Sequence, residues 1–397
     1  MNEKRIHQLL IVSHVTHYQY QGQLFAYAPY AREIELWADL FPEVVIASPL
    51  RKAPPPADCI PFGHQNISVA PQPQLGGDNW HSKIIQVLAL PFAIYSLCKA
   101  MSKADAIHVR CPGNLGLLGA LLAPFFTRYR IAKYAGQWPN YPGESFSTRL
   151  QKSLLKSRWW GAPVTVYGQW PHQPAHIVSF FTSLMDNDQM KVAQRSASQR
   201  ELHSFMRLLY VGRLTKSKHV DTLISAIGEI NKSGNKCACR IIGEGPELSH
   251  LQDLTREKSV ESEVEFIGGL PFEGVLDHYQ WADILVLVSE TEGWPKAITE
   301  AMAFGLVCIG SNRGLVPQIL AEDRGVCIDP GNLEQLVNVL SKLQNSPYEY
   351  SRISQNASAW SSNYTLEKLR QSLSQLMIRA WGLNTESLVA NGIREKD

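Results

Sequence analysis

The chain has 397 residues, 45% of them hydrophobic and 19% charged, with a formal net charge of +2. That length exceeds what one hydrophobic core normally serves, so two or three domains are expected, and the composition is that of a globular chain. The modest charge, with no recognisable binding module, argues against nucleic acid as a partner, and no apolar run reaches the ~18 residues of a membrane span.

In chain order, the first apolar run, ending at Ser13-His14, is too short for the core of a signal peptide. It reads as a buried strand at residues 9–12. A loop containing Gly22 leads to a helix over 25–40 and a strand at 44–47, and residues 53–79, heavy in Pro, Gly and Asn, read as a long irregular loop. A helix at 83–101, a strand at 106–109, a helix at 115–126 and strands at 131–134 and 163–167 complete an alternating pattern. Such alternation predicts a parallel sheet with helices on both faces. Residues 183–205 are polar with little periodicity and read as a junction, after which a second sheet starts at Leu208. Residues 366–381 carry Leu369, Leu373, Leu376 and Met377 at helical spacing, and the tail after Asn384 is polar.

The most informative stretch is SETEGWPKAITEAMAFG, in which Glu292 and Glu300 stand eight positions apart. A Gly-Trp-Pro turn follows the first glutamate, and a helix opened by Trp294-Pro295 carries the second near its start. The apolar run WADILVLVSE before it reads as a buried parallel strand ending at Ser289, and the helix stops at Gly305 before another strand at 306–310. Strand, loop, helix, strand is a βαβ unit, which places ligands at the carboxyl ends of its strands. Unpaired N–H groups at the helix start favour phosphate there.

Four motifs in order, LLYVGRLTKSKHVDTLISAI at 208–227, RIIGEGPELSHLQDL at 240–254, VEFIGGLPFEGVLDHYQWADILVLV at 264–288 and the double-glutamate stretch, resemble the C-terminal half of retaining glycosyltransferases of glycosyltransferase family 4. The N-terminal half resembles the family more loosely. The resemblance implies an α/β fold of GT-B type, with two Rossmann-like doubly wound parallel-sheet domains facing a central cleft. Its parts would be an acceptor-side domain at 1–190, a nucleotide-sugar domain at 191–365, a closing helix at 366–384 packing back toward the first domain, and a polar tail at 385–397. Arg213 and Lys218 are then expected to hold the donor diphosphate, Glu300 the ribose hydroxyls, and Glu292 to face the transferred sugar. Ser289, Gly293, Trp294 and Pro295 would border the donor, and Gly243, Gly245 and Gly22 would let backbone approach it. His219 stands where the family usually has glycine, so it is expected to take a positive φ.

The family commonly carries a His or an acid after the strand at 131–134, where this chain reads Tyr134-Ala-Gly136-Gln. His14, His17, His108 and Arg110, at the ends of the first and third strands, are therefore the acceptor-side candidates. The resemblance requires no cofactor and no metal beyond the nucleoside-diphosphate sugar itself, which is a co-substrate, and no Asp-x-Asp motif is present. Seven cysteines without framework spacing suggest reduced thiols and a cytoplasmic setting. Residues 1–180 carry +7 and the remainder −5. The basic half hints at a lipid-linked or phosphorylated glycan acceptor, as in surface polysaccharide assembly. Within it, residues 150–160 mix Lys152, Lys156 and Arg158 with leucines and two tryptophans, so the segment could lie on an anionic membrane at its inner face or be an ordinary core-facing helix. Two other uses of the fold stay open: a nucleotide-binding protein that has lost activity, and a sugar-nucleotide epimerase or hydrolase.

Overall fold

The computed structural model describes residues 6–75, 80–203, 205–234 and 237–383. It divides into two compact units, one formed by the chain up to Phe181 together with the chain from Lys368, the other by Thr182–Glu367. The polar tail at 385–397 lies outside the described residues.

The first unit is built on seven parallel strands: β1 Gln8–Val12, β4 Glu43–Ser48, β7 Ile67–Pro71, β8 Ala106–Cys111, β9 Arg130–Tyr134, β10 Val164–Tyr167 and β11 Ile177–Phe180, in the order β11-β10-β9-β8-β1-β4-β7. Between β1 and α1 (Ala28–Ala38) the chain inserts a hairpin, β2 His17–Tyr20 and β3 Gln23–Tyr27, which joins β5 Leu50–Arg51 and β6 Cys59–Pro61 in a small second sheet. This corrects the helix expected from residue 25: Gln21 and Gly22 both have positive φ, as a two-residue hairpin turn requires, and Pro29 marks the true helix start. It also corrects the irregular loop at 53–79, whose described part contains β6 and β7. Both strands hold proline and lie at sheet edges, where a missing N–H is tolerated.

Helices α2 Trp80–Met101, α3 Asn114–Leu122 and α4 Phe146–Lys156 connect strands that step in one direction across the sheet. Right-handed crossovers therefore put all three on one face. The buried cluster there includes Leu97 and Met101 of α2, Leu115 and Ala120 of α3 and Leu155 of α4, against Ile107, Val109, Ala132 and Tyr134. Helix α1, from a connection stepping the other way, covers the opposite face. In the 150–160 segment Lys152, Leu155 and Trp160 are buried, so one side of this stretch faces the core, while Leu150, Arg158 and Trp159 stay exposed.

In the second unit the strands are β12 Met206–Val211, β13 Cys237–Ile242, β14 Val264–Gly268, β15 Ile284–Leu287, β16 Val307–Ser311 and β17 Val326–Ile328, all parallel in the order β14-β13-β12-β15-β16-β17. The helices are α5 Asn187–Ser198, α6 Val220–Lys232, α7 Leu248–Glu257, α8 Phe272–Trp281, α9 Lys296–Ala303, α10 Val316–Leu320, α11 Leu333–Gln344 and α12 Pro347–Ser361. Helix α5 lies within the polar stretch read as the junction: Asp186 accepts from the Gln189 N–H while the Gln189 side chain accepts from the Asp186 N–H, a reciprocal cap that starts a helix in polar sequence. Helix α13 Leu366–Trp381 packs on the first unit, where the Trp381 indole donates to the Arg130 carbonyl at 3.3 Å and its ring meets Phe41 and Tyr129. All seven cysteines are free, and Cys237 and Cys239 are buried strand residues. No helix among the described residues is long and apolar enough to cross a membrane.

Candidate functional site

In the second unit, β12 and β15 are neighbours at the centre of the sheet, so the loops leaving their carboxyl ends lie side by side. The β12 loop carries an exposed Arg213 and then a short 3₁₀ turn, Lys216–Lys218. Tyr210, buried in β12, donates from its hydroxyl to the Arg213 carbonyl at 3.0 Å and so fixes the backbone from which the guanidinium extends. Burial and the nearby Glu292 charge hold that phenol well above its usual pKa, so it stays a donor.

His219 has φ 52° and ψ 42°, the left-handed conformation expected of the residue that replaces the family's glycine. Its imidazole Nε2 lies 3.4 Å from Glu290, and the Glu290 N–H donates to the Ser217 carbonyl at 2.9 Å, tying the two loops together. The tie also aligns the charges, since Lys218 Nζ meets Glu292 Oε1 at 2.5 Å with both side chains largely shielded.

Pro295 precedes α9 as its cap residue, and Glu300 sits in the second turn, 7% exposed. Its Oε2 accepts from the hydroxyl of Tyr279, a fully buried residue of α8, at 2.8 Å. A narrow pocket beside it is lined by Lys296, Thr299, Glu300 and Tyr364. The Ser289 hydroxyl is buried without a hydrogen-bond partner among the described residues. Trp294 donates to Thr299 and packs its ring near Trp360 and Tyr364, so its side chain serves the α9–α12 contact while Gly293 carries the turn.

Gly243 and Gly245 have a requirement the sequence did not show. A Cβ on Gly243 would fall 1.9 Å from the Gly212 carbonyl oxygen, and one on Gly245 2.1 Å from that of Leu214. The two glycines let the β13 loop press against the β12 loop, bonded through the Leu214 N–H to the Glu244 carbonyl at 2.9 Å. They shape the Arg213 loop from behind.

In the first unit the acceptor-side candidates separate. Strand alternation turns Ile107, Val109 and Cys111 to one face and His108 and Arg110 to the other, under α1. His108 is 1% exposed against Trp37, and burial lowers its pKa to about 3. His17 is buried between Tyr30 and Phe62, its Nδ1 within 2.7 Å of the Ser48 hydroxyl, and burial lowers its pKa to about 4. Neither is a strand-end group open to an acceptor, which corrects both expectations: they are neutral packing residues. His14 is exposed at the end of β1 beside Gly113, and Gly22 lies at the hairpin tip with open space around it.

Arg110 belongs to a buried ion cluster that sequence reasoning missed. Glu33 of α1 accepts from Lys133 at 2.8 Å and from Arg110 at 3.3 Å, and Arg110 also lies over the Tyr30 ring. Burial pushes the Glu33 carboxyl up, but Lys133 and Arg110 outweigh it and hold the pKa at about 2. A lysine inside the apolar run Ile131-Ala-Lys133-Tyr134 was the available signal.

The fold is the GT-B architecture, two parallel-sheet α/β domains in one chain. Anabaena HepE, solved with UDP and glucose, shares the fold at a TM-score of 0.67 and 15% identity, over 93% of this chain and 98% of that one. Residues 195–360 match the family model of glycosyl transferases group 1. Among curated relatives, an uncharacterised glycosyltransferase of Haemophilus influenzae is 30% identical over 164 residues, 41% of this chain and 46% of that protein. A GDP-mannose-dependent alpha-(1-6)-phosphatidylinositol monomannoside mannosyltransferase of Mycobacterium tuberculosis is 26% identical over 184 residues, 43% of this chain and 47% of that protein. The chain thus spans about half the length of the curated relatives it matches.

Proposed function

We propose that the protein is a retaining glycosyltransferase that moves a sugar from a nucleoside-diphosphate sugar to a glycan or lipid-linked acceptor. The observation that carries this reading is the pairing of Lys218 with Glu292 beside Arg213, at the carboxyl ends of two adjacent parallel strands, with Glu300 held by Tyr279 in the helix that follows. Ligands of doubly wound sheets bind at such strand ends.

When the bond from the sugar's anomeric carbon to the diphosphate breaks, negative charge grows on the leaving phosphate. Arg213 supplies a fork to its oxygens and Lys218 a point charge, stabilising the transition state more than the ground state. The acceptor oxygen bonds to the same carbon on the same face, and its proton passes to a leaving phosphate oxygen. Atoms balance without a protein base, in keeping with the buried state of His17 and His108. Glu292 faces the transferred sugar, Glu300 takes the ribose hydroxyls, and Ser289, Gly293 and Pro295 border the donor. No metal is assigned, so a chelator is expected to leave the rate unchanged.

The relatives suggest where to begin. UDP accompanies HepE, and GDP-mannose and a phosphatidylinositol glycan appear in the name of the mycobacterial relative. Thermal stabilisation against UDP-, GDP-, ADP-, CMP- and dTDP-sugars identifies the donor class by mass action, and the anomeric configuration of the product, read by NMR, tests retention. Arg213→Ala is expected to lose about 2–5 kcal/mol of diphosphate interaction. No stabilisation by any donor in folded protein, or full turnover by that variant, would overturn the assignment.

A further inference from the structure

Between Asp78 and Asp186 the chain carries eleven lysines and arginines and two carboxylates. Neither carboxylate faces outward from the helical layer. Asp105 accepts from the His7 and Gln8 N–H groups at the edge of β1, and Glu144 is buried against Lys152. The same stretch holds ten of the fifteen large hydrophobic side chains that stand exposed among the described residues.

Their placement is ordered. In α2 the exposed residues Leu88, Phe92, Tyr95 and Lys99 recur at i, i+4, i+7 and i+11, one outward stripe, while Ala93, Leu97 and Met101 face the sheet. A helix apolar on both its faces is ordinarily covered on both. Helices α2, α3 and α4 lie on the same face of the sheet, with α3 packed against both others. Beyond α3, Phe125 is 71% exposed with its ring 5.2 Å from that of Trp159, and Leu121 and Leu150 are exposed as well. Exposed Arg128, Arg149 and Arg158 follow or flank these apolar groups.

We propose that this helical layer is the surface by which the protein sits on an anionic lipid membrane. The chemistry selects that partner. Aliphatic and aromatic side chains side by side insert at the headgroup and acyl boundary, and a border of cations with no free carboxylate matches anionic headgroups. A nucleic-acid groove would use aromatic stacking along a cationic track, without exposed leucines. A self-interface would gain from carboxylates opposite the cations, and the layer offers none. The inference goes beyond sugar transfer but suits the lipid-linked acceptor in that reading.

The test is flotation of the full chain with vesicles of phosphatidylcholine alone and of equal phosphatidylcholine and phosphatidylglycerol. The wild type is expected to float only with the anionic vesicles and to be released by 0.5 M salt. Two variants dissect the surface: Phe92→Ser with Phe125→Ser and Trp159→Ser, and Arg128→Gln with Arg149→Gln and Arg158→Gln. Each is expected to weaken binding at least tenfold while keeping the wild-type thermal shift with the donor nucleotide, which separates this surface from the donor site and reports folding. Failure of the wild type to bind anionic vesicles, or binding that neither variant weakens, overturns the proposal. So does a wild-type dimer that the aromatic variant turns into monomer, or equal affinity for a single-stranded oligonucleotide lost in the same variants.

Discussion

Replacing Tyr279 by phenylalanine removes one oxygen and leaves the ring in place. In the wild type that hydroxyl donates to Glu300 Oε2 at 2.8 Å, in a site where Tyr279 is fully buried and Glu300 is 7% exposed. Burial and the adjacent carboxylate both hold the phenol far above its usual pKa, so it is a donor at every working pH. A hydrogen bond to a charged group contributes about 1.5–3 kcal/mol. For a unit the size of Thr182–Glu367 that corresponds to a Tm lower by about 3–12 °C. A second effect falls on the donor. With that bond gone the Glu300 carboxylate is held by one contact fewer, and re-selecting one staggered well of about three costs at most roughly a factor of three in affinity. In the proposed reading the ribose contact is made alike in ground and transition states, so the loss is expected in the donor KM, up to about threefold, with kcat changed less than about twofold. Steady-state kinetics over donor concentration, with a thermal melt of the same preparation, measure both. An unchanged KM in a protein whose Tm had fallen would show that Tyr279 is only a packing residue. A collapse of kcat at constant KM would place Glu300 on the reacting atoms and refute its role at the ribose.

Two further outcomes follow from strained and buried groups. His219 holds a left-handed conformation that a side chain adopts at a cost of about 1–2 kcal/mol relative to its preferred region, so His219→Ala is expected to be less stable than His219→Gly by about 1 kcal/mol, a difference that equal denaturation midpoints would contradict. Glu33→Gln leaves Lys133 and Arg110 buried without their counter-charge and is expected to cost about 3–5 kcal/mol. The same group gives a pH signature. The folded pKa of Glu33, about 2, lies below the unfolded value, so its contribution is full above about pH 4.5 and fades as pH falls toward 2. His17 and His108, with pKa values near 4 and 3, add an earlier loss as pH drops below 6.5, because the unfolded chain takes up protons that the folded unit refuses. Urea titrations from pH 7 to 5 should therefore show falling stability before most carboxylates titrate, and a flat profile over that range would refute the burial of the two imidazoles.

The second unit was legible in the sequence because its strands are buried on both faces and its loops are motifs. Continuous apolar runs such as Ile284–Leu287 announce a parallel strand without an alternation that could be misread. The first unit hid its hairpin because Gln23–Tyr27 runs directly into the apolar face of α1, so one periodic stretch covers two elements, and only Gly22 and Pro29 mark the joints. The site divides along the same line. Arg213, Lys218, Glu292 and Glu300 could be named from local patterns, yet the contacts that set their geometry join residues far apart: Lys218 reaches Glu292 across 74 positions and Tyr279 reaches Glu300 across 21. Arg110 and His108 show the limit from the other side. Alternation in β8 puts them on one face of the sheet, but a parallel sheet has no solvent face to break the tie, and only the helix that carries Glu33, 77 positions from Arg110, decides that this face is interior. A strand-end histidine therefore signals a ligand site only when the helix covering that face is known, and here α1, with Trp37 and Glu33, closes it.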